Sequence, residues 1–273
     1  MTGALDQVAQ WPVSNAAAAV VAADGRVLGA VGDDKREYYL ASVTKLLTAY
    51  TVLIAVEEGV FELDTPAGPE GATVRDLLAH TAGVAFSQRK VVAAPRTRRL
   101  YSSAGFDMLA EALTEHADIA FDTYQQEALL TPLGMTSTRL AGSPGADGYS
   151  TVADLVRFAH ELQRPTLISP QTLAEATTVQ FPGLNGVLPG FGHQRPNDWG
   201  LGFELRDHKD PHWTGSTSSP RTFGHFGQSG TFLWIDPEAG LGCVTLTDRD
   251  FGDWAKEAWP RFTDAVLAEY ARR

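Results

Sequence analysis

Strand-like segments stand at both ends of this 273-residue chain, and helix-like segments fill the stretch between them. Ala17 to Ala23 and Val27 to Val31 read as a hairpin, two apolar runs joined across Asp24-Gly25. Thr231 to Ile235 and Cys243 to Leu246 read as a second hairpin around the longer loop Asp236 to Gly240. Trp199 to Arg206 and Thr222 to His225 are further short strand candidates. In the middle, Leu46, Leu47, Tyr50, Leu53 and Ile54 recur at helical spacing up to Gly59, a C-cap candidate. Further helices are predicted at Val74 to His80, Gly105 to His116, Phe121 to Leu130 and Ala153 to Leu162. A last amphipathic helix runs from Trp254 to Arg272, with Pro260 expected to start or kink it. A sheet drawing strands from both ends predicts one α/β domain, residues 1–62 plus 198–273, interrupted by a mostly helical domain, 63–197. The crevice at their interface is then the natural place for a site.

Composition narrows the function classes. Hydrophobic residues make up 44% of the chain, enough for a sizeable core. The net charge is −11, and the one basic cluster is Arg89-Lys90 with Arg96, Arg98 and Arg99, so no nucleic-acid partner is expected. Cys243 is the single cysteine, which excludes an intrachain disulfide. No segment approaches the ~20 apolar residues of a membrane-spanning helix, so no membrane partner is expected. No basic n-region precedes the apolar run at Ala16 to Ala23, and a cytoplasmic location is expected. Pro182 to Pro196, rich in Gly and Pro, reads as an ordered surface loop. The sequence leaves the oligomeric state open.

Ser42-Val43-Thr44-Lys45 opens the helix that ends near Gly59. Positions i and i+3 lie one turn apart, so a neutral Lys45 amine would reach the Ser42 hydroxyl and take its proton. That requires a lysine shifted from ~10.4 toward 7, which burial against the Leu46-Leu47 flank would supply. A serine at a helix start also meets free N–H groups that favour a developing anion. Taken alone, the pair reads equally as an N-cap serine beside a surface lysine. Five lysines and 13 serines give roughly 0.24 such matches by chance. A second match, Ser87-Gln88-Arg89-Lys90, lies in a polar stretch where its lysine would stay solvated.

Tyr101-Ser102-Ser103 precedes another helix. Tyr101 would relay protons if neighbouring positive charge lowered its pKa, and reads otherwise as a packed aromatic with Ser102 and Ser103 as caps. Phe223-Gly224-His225-Phe226-Gly227-Gln228-Ser229-Gly230 is strand-like, with glycines that permit close approach of a ligand or backbone. Ser229 fails the G-x-S-x-G elbow pattern because Thr231 replaces the last glycine. Asp207 to His212 gathers His and Asp without ligand spacing and reads as a solvated loop. His80, His116, His160 and His193 read as isolated core or surface residues. With no phosphate-binding or dinucleotide glycine fingerprint, neither metal nor cofactor is expected.

S-x-x-K, Y-S-x and H-x-G in this order resemble the serine β-lactamase and penicillin-binding protein superfamily, in particular its class C-like branch of esterases and D,D-peptidase relatives. Supporting strings run from about residue 15 to 250. Leu77 to Gly83 resembles L-L-x-H-T-S-G with Ala82 in place of the serine, and Pro132-Leu133-Gly134-Met135 resembles P-L-G-M. Tyr149 to Leu155 resembles Y-S-T-A-x-D-L, and Trp199 to Phe203 and Gly224 to Gly227 complete the set. The resemblance implies an α+β, β-lactamase-like fold, an antiparallel sheet flanked by helices with an inserted mostly helical domain. It also implies Ser42 as acylated nucleophile, Lys45 as its base and Tyr101 as proton relay. His225-Phe226-Gly227 would stand in the place of K-T-G, with Phe226 and Ser103 against the substrate. The backbone N–H groups of Ser42 and Gln228 would form the oxyanion hole.

Two departures bear on the substrate. Ser103 replaces the asparagine of Y-x-N, removing an amide that contacts the substrate, and His225 replaces a lysine, weakening any carboxylate site. The chain is also short for this branch, so an open cleft is expected. The expected activity is hydrolysis of esters or small amides through a Ser42 acyl-enzyme. A penicillin-binding D,D-peptidase or weak β-lactamase is the second expectation. A ligand-binding or sensor module without turnover is the third. The partner is in each case a small ester, amide or β-lactam.

Overall fold

The two end hairpins meet in one sheet. The computed structural model describes residues 3–271. After a 3₁₀ segment at Ala4–Gln10, β1 (Ala16–Ala22) turns through Gly25 (φ +85°) into β2 (Val27–Val31). The middle of the chain then supplies β3 (Tyr38–Tyr39), α1 (Thr44–Glu57), α2 (Val74–Leu78), α3 (Ser103–Ala117) and α4 (Phe121–Gln125), the last continued by a π-helical turn at Gln126–Leu130. Next come β4 (Arg139–Leu140), β5 (Gly148–Ser150), α5 (Val152–Glu161), α6 (Pro170–Ala176) and a small hairpin of β6 (Gly186–Leu188) and β7 (Gly192–Gln194). The chain returns to the main sheet with β8 (Glu204–Leu205), β9 (Phe223–Gly227), β10 (Thr231–Asp236) and β11 (Leu241–Thr247), then ends in α7 (Asp253–Tyr270).

The sheet order is β2-β1-β11-β10-β9-β8, antiparallel throughout, with Ala16 opposite Thr247 and Ala22 opposite Leu241. Every residue from Ala17 to Ala22 is buried because both faces of the sheet are covered. Alternation sorts the side chains. Ala17, Ala19, Val21, Leu233, Ile235, Val244 and Leu246 join the core beneath α1 and α5, while Ala18, Val20, Phe232, Trp234 and Cys243 face α7 and the 3₁₀ segment. A second, three-stranded sheet pairs β3 and β4 with β5.

The fold class is as expected, and most elements fall near their predicted bounds. α1 ends in a Schellman motif: Gly59, at φ +75°, donates to the Val56 carbonyl and Val60 to that of Ala55. Pro260 does not start the last helix; it lies inside α7, which begins at Asp253. Trp259 and Phe262 on either side of it are fully buried, and their packing holds the helix through the missing N–H. Arg272, the predicted last residue, lies outside the described residues. Trp199 to Arg206 yields only the two-residue β8, and Pro182 to Pro196 carries the β6–β7 hairpin.

The segment Asp207 to His212 is not solvated throughout, since Lys209 and His212 are buried. Lys209 Nζ donates to Glu204 Oε1 at 2.6 Å and to the Asp198 carbonyl at 2.6 Å, and His212 Nε2 and Trp213 Nε1 each lie 2.9 Å from Glu204 Oε2. A buried carboxylate thus draws the loop inward. Among the described residues, no helix is long and apolar enough to cross a membrane, and no His, Cys, Asp and Glu side chains are grouped to hold a metal ion.

Candidate active site

Ser42 sits in a 3₁₀ turn, Ala41–Val43, that feeds directly into α1. The turn is held open by Ala41, whose φ of +45° is rare for a residue with a Cβ, so the surrounding contacts must enforce it. Those contacts come from the residues after β9. Thr231 Oγ1 donates to the Leu40 carbonyl at 2.9 Å, and Ser229 Oγ donates to that of Tyr39 at 2.7 Å. Ser229, discounted as a nucleophile, is therefore an anchor for the chain leading to Ser42. Gly227 completes the fit, because a Cβ there would lie 2.3 Å from the Leu40 carbonyl oxygen and 3.2 Å from Ala41 Cβ.

Lys45 Nζ donates to Ser42 Oγ at 3.3 Å, to Ser103 Oγ at 2.9 Å and to the Gly145 carbonyl at 2.6 Å. The ammonium lies 4.7 Å from the centre of the Tyr101 ring and has no exposed surface. Burial pulls its pKa from 10.5 down to about 7, with Asp107 opposing. Asp107 accepts a hydrogen bond from Ser143 Oγ, which ties it to the loop carrying Gly145. That loop was not legible in the sequence as part of the site. Its one signal is Gly145 itself, where a Cβ would lie 2.7 Å from the Ser103 carbonyl oxygen.

Tyr101 donates its hydroxyl to Ser42 Oγ at 2.7 Å. Burial raises the phenol pKa, the opposite of the lowering expected from neighbouring charge, so Tyr101 is a neutral donor in this arrangement. Its ring is walled by His80 at 4.7 Å, Trp199 at 5.6 Å, His225 at 5.6 Å and Phe86 at 5.8 Å between centroids. Ser102 N-caps α3, accepting from the Gly105 amide at 2.9 Å, and its own amide donates to His80 Nδ1. His80 is thus a wall behind the tyrosine rather than an isolated core residue, held neutral first by burial and then by Lys45.

His225, buried on β9, places Nδ1 2.6 Å from the Phe226 carbonyl. A carbonyl only accepts, so Nδ1 carries the proton and Nε2 is a bare acceptor. Nε2 has no partner among the described residues. Burial, then the Lys45 charge, lowers the imidazole to about 3, so it is neutral at neutral pH. Ser42, Tyr101, His225, Phe226 and Gln228 line one cavity of about 80 Å³, joined by Phe86, Leu188, Pro189, Trp199 and Glu204. Of the residues singled out in the sequence, Lys45, Ser103 and Gly227 stand just behind this wall. Ser87 and Lys90 make no contact with the cavity.

A sheet covered on both faces, with a serine–lysine–tyrosine cluster against its β9 strand, is the architecture of the serine β-lactamase class. The Beta-lactamase family model matches residues 10–268, and the chain belongs to that family. A solved β-lactamase structure from Mycobacterium bovis, Mb2281c, is 58% identical with a TM-score of 0.97, covering 98% of this chain and 100% of that one. EstCE1, a hydrolase with promiscuous acyltransferase activity, shares the fold at 16% identity and a TM-score of 0.80, covering 97% of this chain and 96% of its own. The D-alanyl-D-alanine-carboxypeptidase/endopeptidase AmpH of Escherichia coli K12 is 26% identical over a match covering 38% of this chain and 37% of that protein. The matched part thus spans little more than a third of that curated relative.

Proposed function

We propose that the protein is a serine hydrolase that cleaves esters or small amides through a Ser42 acyl-enzyme. The observation that carries this reading is the convergence of Lys45 Nζ and Tyr101 OH on Ser42 Oγ, at 3.3 and 2.7 Å. In neutral Lys45, the two N–H bonds go to Ser103 Oγ and the Gly145 carbonyl, which leaves the lone pair for the Ser42 proton. Ser42 Oγ then attacks the substrate carbonyl carbon while its proton passes to Lys45. The tetrahedral oxyanion is held by the backbone N–H groups of Ser42 and Gln228, each such donor being worth about 2.7–4 kcal/mol. Collapse breaks the bond to the leaving group, which takes its proton from the Tyr101 hydroxyl, and Lys45 returns the proton to Tyr101. Water repeats the sequence on the acyl-enzyme and releases the acid. The site is proposed to lie where the sheet domain meets the inserted helical segment, with Phe226 beside the substrate and Ser103 behind it, against Lys45.

The neutral His225 tautomer supports an ester or amide lacking a carboxylate next to the scissile bond, since a bare nitrogen lone pair repels an anion. A β-lactamase or D,D-peptidase activity is the second reading, favoured by the 58% identity to the Mycobacterium bovis β-lactamase. A module that acylates without release is the third. Intact mass after incubation with a fluorophosphonate, beside Ser42→Ala, tests the first step. One adduct, lost in the variant, is expected; no adduct on either protein overturns the hydrolase reading. Turnover of a short nitrophenyl ester against a chromogenic cephalosporin then separates the readings, and rapid cephalosporin turnover overturns the ester preference. Acylation by the ester without release identifies the non-turnover module.

A further inference from the structure

A second, larger cavity opens beside the catalytic one. It has a volume of about 640 Å³ and shares Phe86, Tyr101 and Pro189 with the 80 Å³ space around Ser42. The smaller space is only a few water volumes in size. Such a space takes a reacting carbonyl and little more, and Phe86, Tyr101 and Pro189 form its boundary with the larger cavity.

The larger cavity has room for a longer arm of the substrate. Its wall joins the chain around Val84 and Val92, the segment Arg98 to Tyr101, and the β6–β7 hairpin. Buried Arg99 fixes the floor, donating to the carbonyls of Ala79, Gln180 and Asn197, while its backbone N–H binds the Asn185 carbonyl. Phe86, Val92 and Val187 are exposed at 58%, 41% and 46%, a cluster of large apolar side chains left facing solvent along this wall. The charge is one-sided. Arg98, Arg195 and His193 line the cavity and no Asp or Glu does, while buried Arg99 is paired with Asp198 at 3.9 Å. Arg98 and Arg195 are exposed, and neither is in an ion pair among the described residues.

From this continuity and charge we infer that the groove binds the longer arm of the substrate, an apolar chain ending in an anionic group. The inference rests on the Ser42 hydrolase reading and names its substrate class. It agrees with the neutral His225, because the anion sits at the far end of the arm rather than beside the scissile bond.

The test compares nitrophenyl acetate, nitrophenyl hexanoate and the nitrophenyl monoester of octanedioic acid on the wild-type protein. Apolar contact and the arginines together are expected to raise kcat/KM in that order, by about tenfold at each step. In Arg98→Ala/Arg195→Ala the octanedioate-to-hexanoate ratio is expected to fall about tenfold at low salt. A ratio taken within one variant does not depend on how much of it is folded. Equal kcat/KM for the three esters, or a ratio unmoved in the double variant, overturns the inference while leaving the hydrolase intact. Calorimetric binding of octanoate to Ser42→Ala requires no turnover. Binding there, weakened at least about fivefold by the two arginine changes, supports the groove even if the hydrolase reading fails. No binding overturns it.

Discussion

Lys45 Nζ stands closer to Ser103 Oγ, at 2.9 Å, than to Ser42 Oγ, at 3.3 Å. The serine that replaces an expected asparagine is thus a hydrogen-bond partner of the Lys45 amine, as is the Gly145 carbonyl. In the proposed mechanism these two take the N–H bonds of the neutral amine and leave its lone pair for Ser42. Ser103→Ala is expected to slow fluorophosphonate labelling of Ser42 about tenfold without changing the melting temperature by more than a few degrees. Labelling at the wild-type rate would remove Ser103 from the site.

The pH dependence follows from the Lys45 amine, held near 7 by burial. Labelling of Ser42 is expected to rise with pH as the amine loses its proton, with a midpoint near 7, and to show no second limb from His225, which burial keeps neutral down to about 3. The linked stability has the same sign. An unfolded lysine keeps its proton to ~10.4, so the unfolded chain binds more protons above pH 7 and this term favours the fold increasingly up to that value. A labelling midpoint near 10 would show that Lys45 is solvated.

Tyr101→Phe removes one hydroxyl and leaves the ring among His80, Phe86 and Trp199. Ester turnover is expected to fall by about 10²–10⁴, the usual worth of a positioned proton donor, while the fold and its near-ultraviolet spectrum persist. Turnover within twofold of wild type would confine the tyrosine to packing.

Gly227→Ala sets a Cβ against the Leu40 carbonyl on the segment that bends Ala41. Stability is expected to fall by about 1–3 kcal/mol, measured by denaturant unfolding. Turnover is expected to fall further than that loss explains, because the turn presenting Ser42 must shift. An active, stable variant would mean that β9 moves freely.

Glu204 lines the same cavity as Ser42, and its buried cluster with Lys209 and His212 gives a test of stability. Burial opposes its ionisation, and the charges and hydrogen bonds of His212 and Lys209 overcome that, holding the carboxyl at about 2. Its contribution is fully present above about 4.5 and is lost as pH falls from there toward 2. Glu204→Gln leaves Lys209 buried without its counter-charge and is expected to cost about 3–5 kcal/mol by denaturant unfolding. A cost under 1 kcal/mol would show that the cluster is hydrated.

Legibility in the sequence followed the range of the interaction. Ser42 and Lys45 were readable because one helical turn joins them, and the end hairpins because apolar runs and the turns between them are local signals. Tyr101 was a candidate relay on its own and His225 only part of a strand; their place in one site entered through a resemblance, since nothing local says that strand β9 and the start of α3 converge. Gly145 and Glu204 escaped because each acts through a contact made only by the folded chain: a carbonyl facing Lys45 and a carboxylate capturing Lys209. The direction of the Tyr101 shift turned on how deeply its ring is packed, a quantity with no periodicity to betray it.

The pairing of Ala16 with Thr247 has a temporal consequence. During synthesis β1 emerges more than 200 residues before β11, the strand it must lie beside, so the central sheet closes only after β11 has emerged. The turn carrying Ser42 is braced by Thr231 and Ser229, on the same late segment. A chain that stops before this segment therefore lacks the two hydroxyls that hold the turn presenting Ser42.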